Sequence, residues 1–226
     1  MICPGGDAGF VLRMIKESIT LGQRVQWYTS MLGRFSSVEV VVNKLKEVGC
    51  KNWAVDVLKA GSKTRRWVVG WSWGDWRPRA DVARGEGLEG ALLGFPTEMV
   101  VRAKSKDMSE GARKIDELMR GLDLRWMWKE SLTAGVAFAR ENVWSRAVRR
   151  KKQQQQQQMS MTDEKPDSEA DQEGEDGGED EREEVALGVK ITVKTDSVEL
   201  RWLRGNDSIV YESFCGIIKR ALREVG

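Results

Sequence analysis

Histidine does not occur anywhere in this chain of 226 residues. Its absence removes His-based triads, His-ligated metals and imidazole general bases from consideration. Cysteine is scarce: Cys3, Cys50 and Cys215 are far apart and odd in number. That suits a reducing compartment better than a disulfide framework or a zinc site, so no metal is expected. Only four prolines occur, at 4, 78, 96 and 166, and none follows an asparagine. No run of eighteen apolar residues and no signal-peptide pattern is present, so the chain reads as soluble and intracellular, in nucleus or cytoplasm, with no membrane partner.

Tryptophan is abundant, with ten residues. Most sit at strand spacing, which favours core and sheet-face positions over ligand stacking. Charge is segregated. Asp163 to Glu184 holds thirteen acidic residues against Lys165 and Arg182, a net of −11, and the other 204 residues carry 35 basic and 22 acidic groups, a net of +13. A folded part this basic attracts polyanions, RNA foremost. A surface kept soluble by lysine and arginine is the alternative on charge alone.

Apolar periodicity predicts a helix from about Gly9 to Gln23, then a buried strand over Arg24–Ser30 and a turn at Gly33-Arg34. Ser36 and Glu39 have capping-box spacing for a helix ending at Gly49. Trp53 to Leu58 alternates as a strand, and Arg65 to Trp73 is a second, with Trp67, Val69, Trp71 and Trp73 on one face. The short Gly loop between them predicts an antiparallel hairpin. This order is the tail of a doubly wound sheet carrying an antiparallel edge strand. Residues 74–94, rich in Gly, Arg and Asp, read as a linker. Beyond Phe95 the pattern predicts a strand at Met99–Val101, a helix from Ser109, a strand over Leu124–Trp128, and a helix through Val136, Phe138 and Trp144 that runs into Arg149-Arg150-Lys151-Lys152. Residues 153–184 are poly-Gln and acidic and are expected to be disordered. A hairpin then resumes (Val189 to Trp202), and Asp207 or Ser208 caps a final amphipathic helix. Those last forty-odd residues make too small a core alone and should complete the unit begun at Phe95.

The residues Gly5-Gly6-Asp7, Trp27-Tyr28-Thr29-Ser30-Met31-Leu32-Gly33 and Arg66-Trp67-Val68-Val69-Gly70-Trp71-Ser72-Trp73 resemble the methyltransferase-like protein 16 family. Its members are adenine-N6 RNA methyltransferases acting on U6 snRNA, with a bacterial branch acting on large-subunit rRNA. Past residue 94, Glu141-Asn142-Val143-Trp144, Arg149 to Lys152, Val198 to Trp202 and the last helix resemble the eukaryotic members only. The fold this implies is α/β: the C-terminal half of a Rossmann-like class I methyltransferase sheet (1–73), a linker (74–94), and a small α+β, KA-1-like RNA-binding domain (95–152 and 185–226) split by a disordered insertion (153–184).

The resemblance implies S-adenosylmethionine as cofactor and structured snRNA or rRNA as partner. The family's Gly-rich cofactor loop and its Asn-Pro-Pro-Phe catalytic motif do not occur in this sequence, and Asp7 stands where the family usually has Glu. No catalytic or cofactor-binding residue is therefore assigned, and the chain by itself is expected to be inactive. Met1-Ile2-Cys3-Pro4 abuts the Gly-Gly motif, which suits an incomplete gene model better than a natural truncation. A non-catalytic structured-RNA-binding module is the alternative reading. Lys63 and Arg66 match basic positions the family uses near substrate, and Arg65 adjoins them. Arg146, Arg149, Arg150, Lys151 and Lys152 form a dense cationic patch that could hold phosphates, serve as a nuclear-localisation signal, or favour a helix C-terminus.

The acidic run is either a solvated linker or a competitor that folds back on basic surface. If it competes, deleting residues 163–184 should tighten RNA binding at low salt in a filter-binding titration, and unchanged affinity would leave only the linker reading.

Overall fold

The computed structural model describes residues 3–61, 64–102, 109–145, 148, 150 and 185–223. The poly-Gln and acidic insertion expected at 153–184 lies outside the described residues. Helix α1 (Gly6–Leu21) leads through a 3₁₀ turn at Gly22–Arg24 to β1 (Tyr28–Leu32), then α2 (Phe35–Glu47), β2 (Trp53–Ala60) and β3 (Thr64–Trp71). The two helices cover one face of a three-stranded sheet of order β1-β3-β2. Val11 and Ile15, four apart, bring α1 onto that sheet, and Val38, Val41, Val42 and Leu45 do the same for α2. From the sheet they meet Leu32, Val55, Val69 and Trp71.

Three expectations are corrected here. β1 begins at Tyr28 rather than Arg24, because Gly22–Arg24 takes a 3₁₀ turn, and its exposure alternates as an edge strand's does. The antiparallel strand β3 lies between β1 and β2, bonded to both, rather than at the edge. The capping box at Ser36 does not form: α2 starts at Phe35 without a side-chain cap, and the nearby Ser37 hydroxyl donates instead to Asp7 Oδ1 (2.7 Å).

Residues 74–94 are not slack. They carry the one-turn helix α3 (Ala80–Ala83) and pack Leu88, Leu92 and Leu93 against the first core. Gly85 N donates to Val55 O (2.7 Å), and Trp53 Nε1 donates to Leu92 O (3.1 Å). The absence of an apolar period suggested a linker, but backbone and side-chain hydrogen bonds hold this stretch without one.

The remaining elements are β4 (Glu98–Arg102), α4 (Ser109–Arg120), β5 (Arg125–Lys129), β6 (Ala134–Ala139), β7 (Leu187–Val193), β8 (Ser197–Arg204) and α5 (Ser208–Arg223). They form an antiparallel five-stranded sheet of order β4-β8-β7-β6-β5, with α4 and α5 packed on one face. Here the helix expected around Val136 and Phe138 is replaced by β6. Its residues alternate small inward side chains (Ala137, Ala139) with Val136 and Phe138 outward, and it hydrogen-bonds to β5 and β7 on both sides. Alanine and glycine weaken the strand signal in the sequence, and sheet pairing overrides it. Asp207 Oδ1 accepts from Ile209 N (2.8 Å), capping α5 as expected.

Ser18 is fully buried between α1 and the first sheet. Its Oγ accepts from both Trp71 Nε1 and Trp73 Nε1 (3.0 Å each) and donates to Ile15 O (2.7 Å). One hydroxyl thereby satisfies two indoles. Ser18→Ala should strand both N–H groups and lower unfolding stability by about 2–4 kcal/mol in a urea titration.

Candidate nucleic-acid interface

The two edges of the first sheet differ. β1 and β2 run parallel to each other, both antiparallel to β3, so their carboxyl ends share one edge. Leu32, the last residue of β1, is level with Trp67 and Val57, and the β2–β3 hairpin continues beyond it for three more pairs: Leu58–Arg66, Lys59–Arg65 and Ala60–Thr64. That projection is about 10 Å. Arg65 and Arg66 lie exposed on it, and Arg66 Nη1 donates to Arg65 O (3.1 Å), which holds the guanidinium along the hairpin. Lys59 reaches the carboxylate of Glu86 at 3.7 Å with both side chains mostly solvated, so that pair is weak. The hairpin is a cationic prong set over the carboxyl edge.

Also at that edge, Gly5 and Gly6 adopt positive φ (80° and 66°) to launch α1, which explains the paired glycines. Asp7 follows, and its carboxylate accepts from Ser37 Oγ (2.7 Å), Gly33 N (2.8 Å) and Ala8 N (2.8 Å). It therefore ties together the start of α1, the turn after β1 and the first turn of α2. The Ser37 hydrogen bond is the main influence holding its pKa below the ordinary carboxylate value. Burial opposes it, and the Gly33 and Ala8 amides and Arg34 reinforce it.

The opposite edge opens into a cleft of about 1430 Å³ between the two sheets. Its walls include Arg24, Trp27, Lys51, Trp76, Arg140 and Arg204. Arg204 pairs with Asp75 (2.9 Å) and lies 4.9 Å over the Trp76 ring. This cleft is at the amino ends of β1 and β2, whereas nucleotide cofactors in open α/β sheets sit outside the carboxyl ends. Its position does not fit a cofactor pocket of that class, and no Gly-rich turn following a parallel strand occurs among the described residues.

Of the predicted site residues, Arg65 and Arg66 come together on the hairpin, and Arg150 is exposed. Lys63, Arg146, Arg149, Lys151 and Lys152 lie outside the described residues. Sequence reasoning missed Trp76 and Arg204, which sat in a supposed linker and a strand end. An exposed tryptophan beside a Gly-Asp pair was the only available signal. All three cysteines are free. Burial pushes the Cys215 thiol up to about 11 and raises that of Cys50 as well, so both behave as packing groups. Among the described residues no cluster of three metal-ligating side chains occurs, and no helix is long and apolar enough to cross a membrane.

A cationic prong at the carboxyl edge of an α/β sheet presents positive charge that would attract a polyanion. Comparison with known proteins narrows this. Residues 1–75 match the model of a family described as RNA methyltransferase. Over 227 aligned positions the chain is 30% identical to the U6 small nuclear RNA (adenine-(43)-N(6))-methyltransferase of Schizosaccharomyces pombe, covering 99% of this chain and 52% of that protein. It is 39% identical over 70 residues to the ribosomal RNA large subunit methyltransferase F of a Marinomonas species, covering 31% of this chain and 21% of that protein. Among solved structures, the hMettl16 catalytic domain in complex with a MAT2A 3′UTR hairpin is 32% identical, covering 32% of this chain and 25% of that one, with a TM-score of 0.31. The N-terminal domain of human METTL16 in complex with SAH is similar to the same degree, 32% identical over 33% of this chain and 28% of that one, with a TM-score of 0.31. The match over residues 1–75 takes in the motifs around Gly5-Gly6-Asp7 and Trp67–Trp73 that carried the resemblance in the sequence, and the likeness to the Schizosaccharomyces pombe protein extends over nearly the whole chain. It spans about half the length of the Schizosaccharomyces pombe relative.

The Asp7 network sets a pH dependence. A carboxylate whose pKa is lower folded than unfolded contributes stability that is complete above the unfolded value, near 4, and lost as pH falls through the folded one. The stability difference between wild type and Asp7→Asn should therefore be constant from neutral pH down to about 5 and shrink below about 4. Thermal melts across that range measure it, and a difference independent of pH would exclude an ionised Asp7 from the network.

Proposed function

We infer that this chain is the substrate-side portion of an S-adenosylmethionine-dependent adenine-N6 RNA methyltransferase of the U6 snRNA or rRNA type, and that its own role is to hold structured RNA. Residues 1–73 would supply the half of the methyltransferase sheet that faces RNA, and residues 95–152 with 185–226 an RNA-binding unit of KA-1-like type. The observation that carries this reading is the hairpin bearing Lys59, Arg65 and Arg66, which projects past the carboxyl edge where Asp7 sits. In such enzymes the adenine leaves its stack and offers its exocyclic amine to the methyl donor. Cations on the prong would fix the RNA by its phosphates without reading bases. S-adenosylmethionine would supply the methyl group. The residues of this chain do not form its cradle, so no step of transfer is assigned to them.

Nuclear localisation fits an snRNA substrate and the basic run at 149–152. The non-catalytic alternative is favoured by the missing Gly-rich loop and Asn-Pro-Pro-Phe motif.

Two measurements test the reading. Arg65→Gln with Arg66→Gln should weaken binding to a structured hairpin RNA by about tenfold and flatten its salt dependence, each phosphate contact adding about 0.9 to the log–log slope on a duplex. Titration calorimetry of the chain with S-adenosylmethionine should show no heat of binding, and a measurable affinity would overturn the assignment of cofactor binding to residues outside it.

A further inference from the structure

The five-stranded sheet packs one face on α4 and α5, and among the described residues no element covers the other, where Met127 is 47% exposed, Val100 58% and Trp76 55%. Strand register brings one row of side chains across that open face. Arg125 on β5 is paired with Phe138 on β6, Phe138 with Gly188 on β7, Gly188 with Arg204 on β8, and Arg204 with Trp76, which bridges to it from the segment after β3. The order is cation, aromatic, gap, cation, aromatic.

The gap is built. A side chain at position 188 would begin 2.8 Å from Phe138 Cε1 and 3.1 Å from Arg204 Cβ, so glycine lets the Phe138 ring lie across β7 toward Arg204. Arg204 in turn is braced by Asp75 (2.9 Å) and holds its guanidinium 4.9 Å over the Trp76 ring, which steadies that exposed indole. Lys190, one row along on β7 and opposite Val136 and Arg201, is exposed, as is Arg125. Phe138 and Trp76 are three strand spacings apart, about 14 Å. An extended strand of a few nucleotides covers that distance.

We propose that this open face, from Arg125 through Phe138 to Trp76, is a platform for an unpaired RNA segment. Bases stack on Phe138 and Trp76, and Arg125 and Lys190 take the phosphates between and beside them. A duplex is the wrong ligand for such a row, because its bases already stack on one another and offer no free ring faces. Aromatic side chains on an exposed antiparallel sheet face supply stacking that tolerates any base, and flanking cations track the backbone. Beyond Trp76 the row opens into the cleft walled by Trp27, Arg24 and Lys51, so a strand leaving the platform enters a further polar channel. The platform rests on the reading of the chain as an RNA-acting protein, and it sits on a different sheet from the cationic hairpin.

The test uses the full chain and fluorescence anisotropy with two labelled probes, a single-stranded RNA of mixed sequence and a blunt RNA duplex of equal length. Phe138→Leu, which keeps an apolar side chain over Gly188, and Trp76→Ala should each weaken single-strand binding by about tenfold and leave duplex binding and the salt slope unchanged. Arg125→Gln with Lys190→Gln should lower the single-strand salt slope by about 1.4. Photocrosslinking of a 4-thiouridine single strand should label the peptides holding Phe138 or Trp76. Circular dichroism and melting curves confirm that each variant is folded. If single-strand affinity and crosslinks are unchanged in all these variants yet lost in Arg65→Gln/Arg66→Gln, the platform is overturned and the RNA-binding reading stands. If wild type binds neither RNA, both are overturned.

Discussion

The buried guanidinium of Arg77 ties the two sheets together, and the cleft between them and the placing of Trp76 depend on that tie. The side chain is 7% exposed. Nε donates to Gly205 O (2.8 Å) beyond the second sheet, Nη1 to Lys51 O (2.6 Å) before β2, and the plane lies 4.0 Å over Trp202, a core residue of the five-stranded sheet. Its own backbone N–H donates to Leu203 O (2.9 Å). Burial draws its pKa down to about 10, with the neighbouring Cys50 and Asp75 opposing, so the group is charged at neutral pH. A buried cation held by carbonyl dipoles and a ring face is costly to desolvate, and this one is tolerable because its donors are matched on both sides. Lysine, a point charge without the planar fork, would not make the same set of contacts.

Around Arg77 the segment after β3 serves both sheets. Asn52 Nδ2 donates to Gly74 O (3.1 Å) and Trp76 O (2.8 Å), closing it against the first sheet, while Gly205 N donates to Asp75 O (3.0 Å), closing it against the second. The same few residues thereby shape the cleft and set Trp76 at the end of the aromatic row. The two candidate RNA surfaces lie on either side of this junction: a cationic prong at the carboxyl edge of the first sheet, and an aromatic–cationic platform on the second.

Much of this architecture was legible in the sequence. The amphipathic stripes of α1, α2, α4 and α5, the Trp67–Trp71 alternation and the Val189–Trp202 hairpin all announce themselves by period, because each buries one face. The Gly5-Gly6-Asp7 and Arg66–Trp73 motifs carried the resemblance to an RNA methyltransferase family, and they lie within the stretch that matches its model. What failed to read were elements whose stability is not periodic. β6, built of alanine, glycine and outward Val136 and Phe138, is a strand because β5 and β7 flank it. The 74–94 stretch is held by hydrogen bonds to Asn52, Val55 and Trp53 and by three leucines that follow no regular period. For the candidate site, Arg65 and Arg66 were proposed from the hairpin and the family resemblance, while Trp76, Phe138 and Arg204 were not, since residues far apart in sequence become neighbours only through strand register.

By itself the sequence determined the family resemblance, the charge that suits RNA, and the helices and hairpins whose side chains alternate with a fixed period. Those are local or compositional properties, set by backbone geometry and by the net charge of each segment. Only the tertiary structure decided that β3 lies inside its sheet, that the hairpin prong and Asp7 share the carboxyl edge, and that Arg125, Phe138, Arg204 and Trp76 stand in one row. These follow from pairing between distant segments, where backbone hydrogen bonds and a shared core select one register among many that the local pattern would allow.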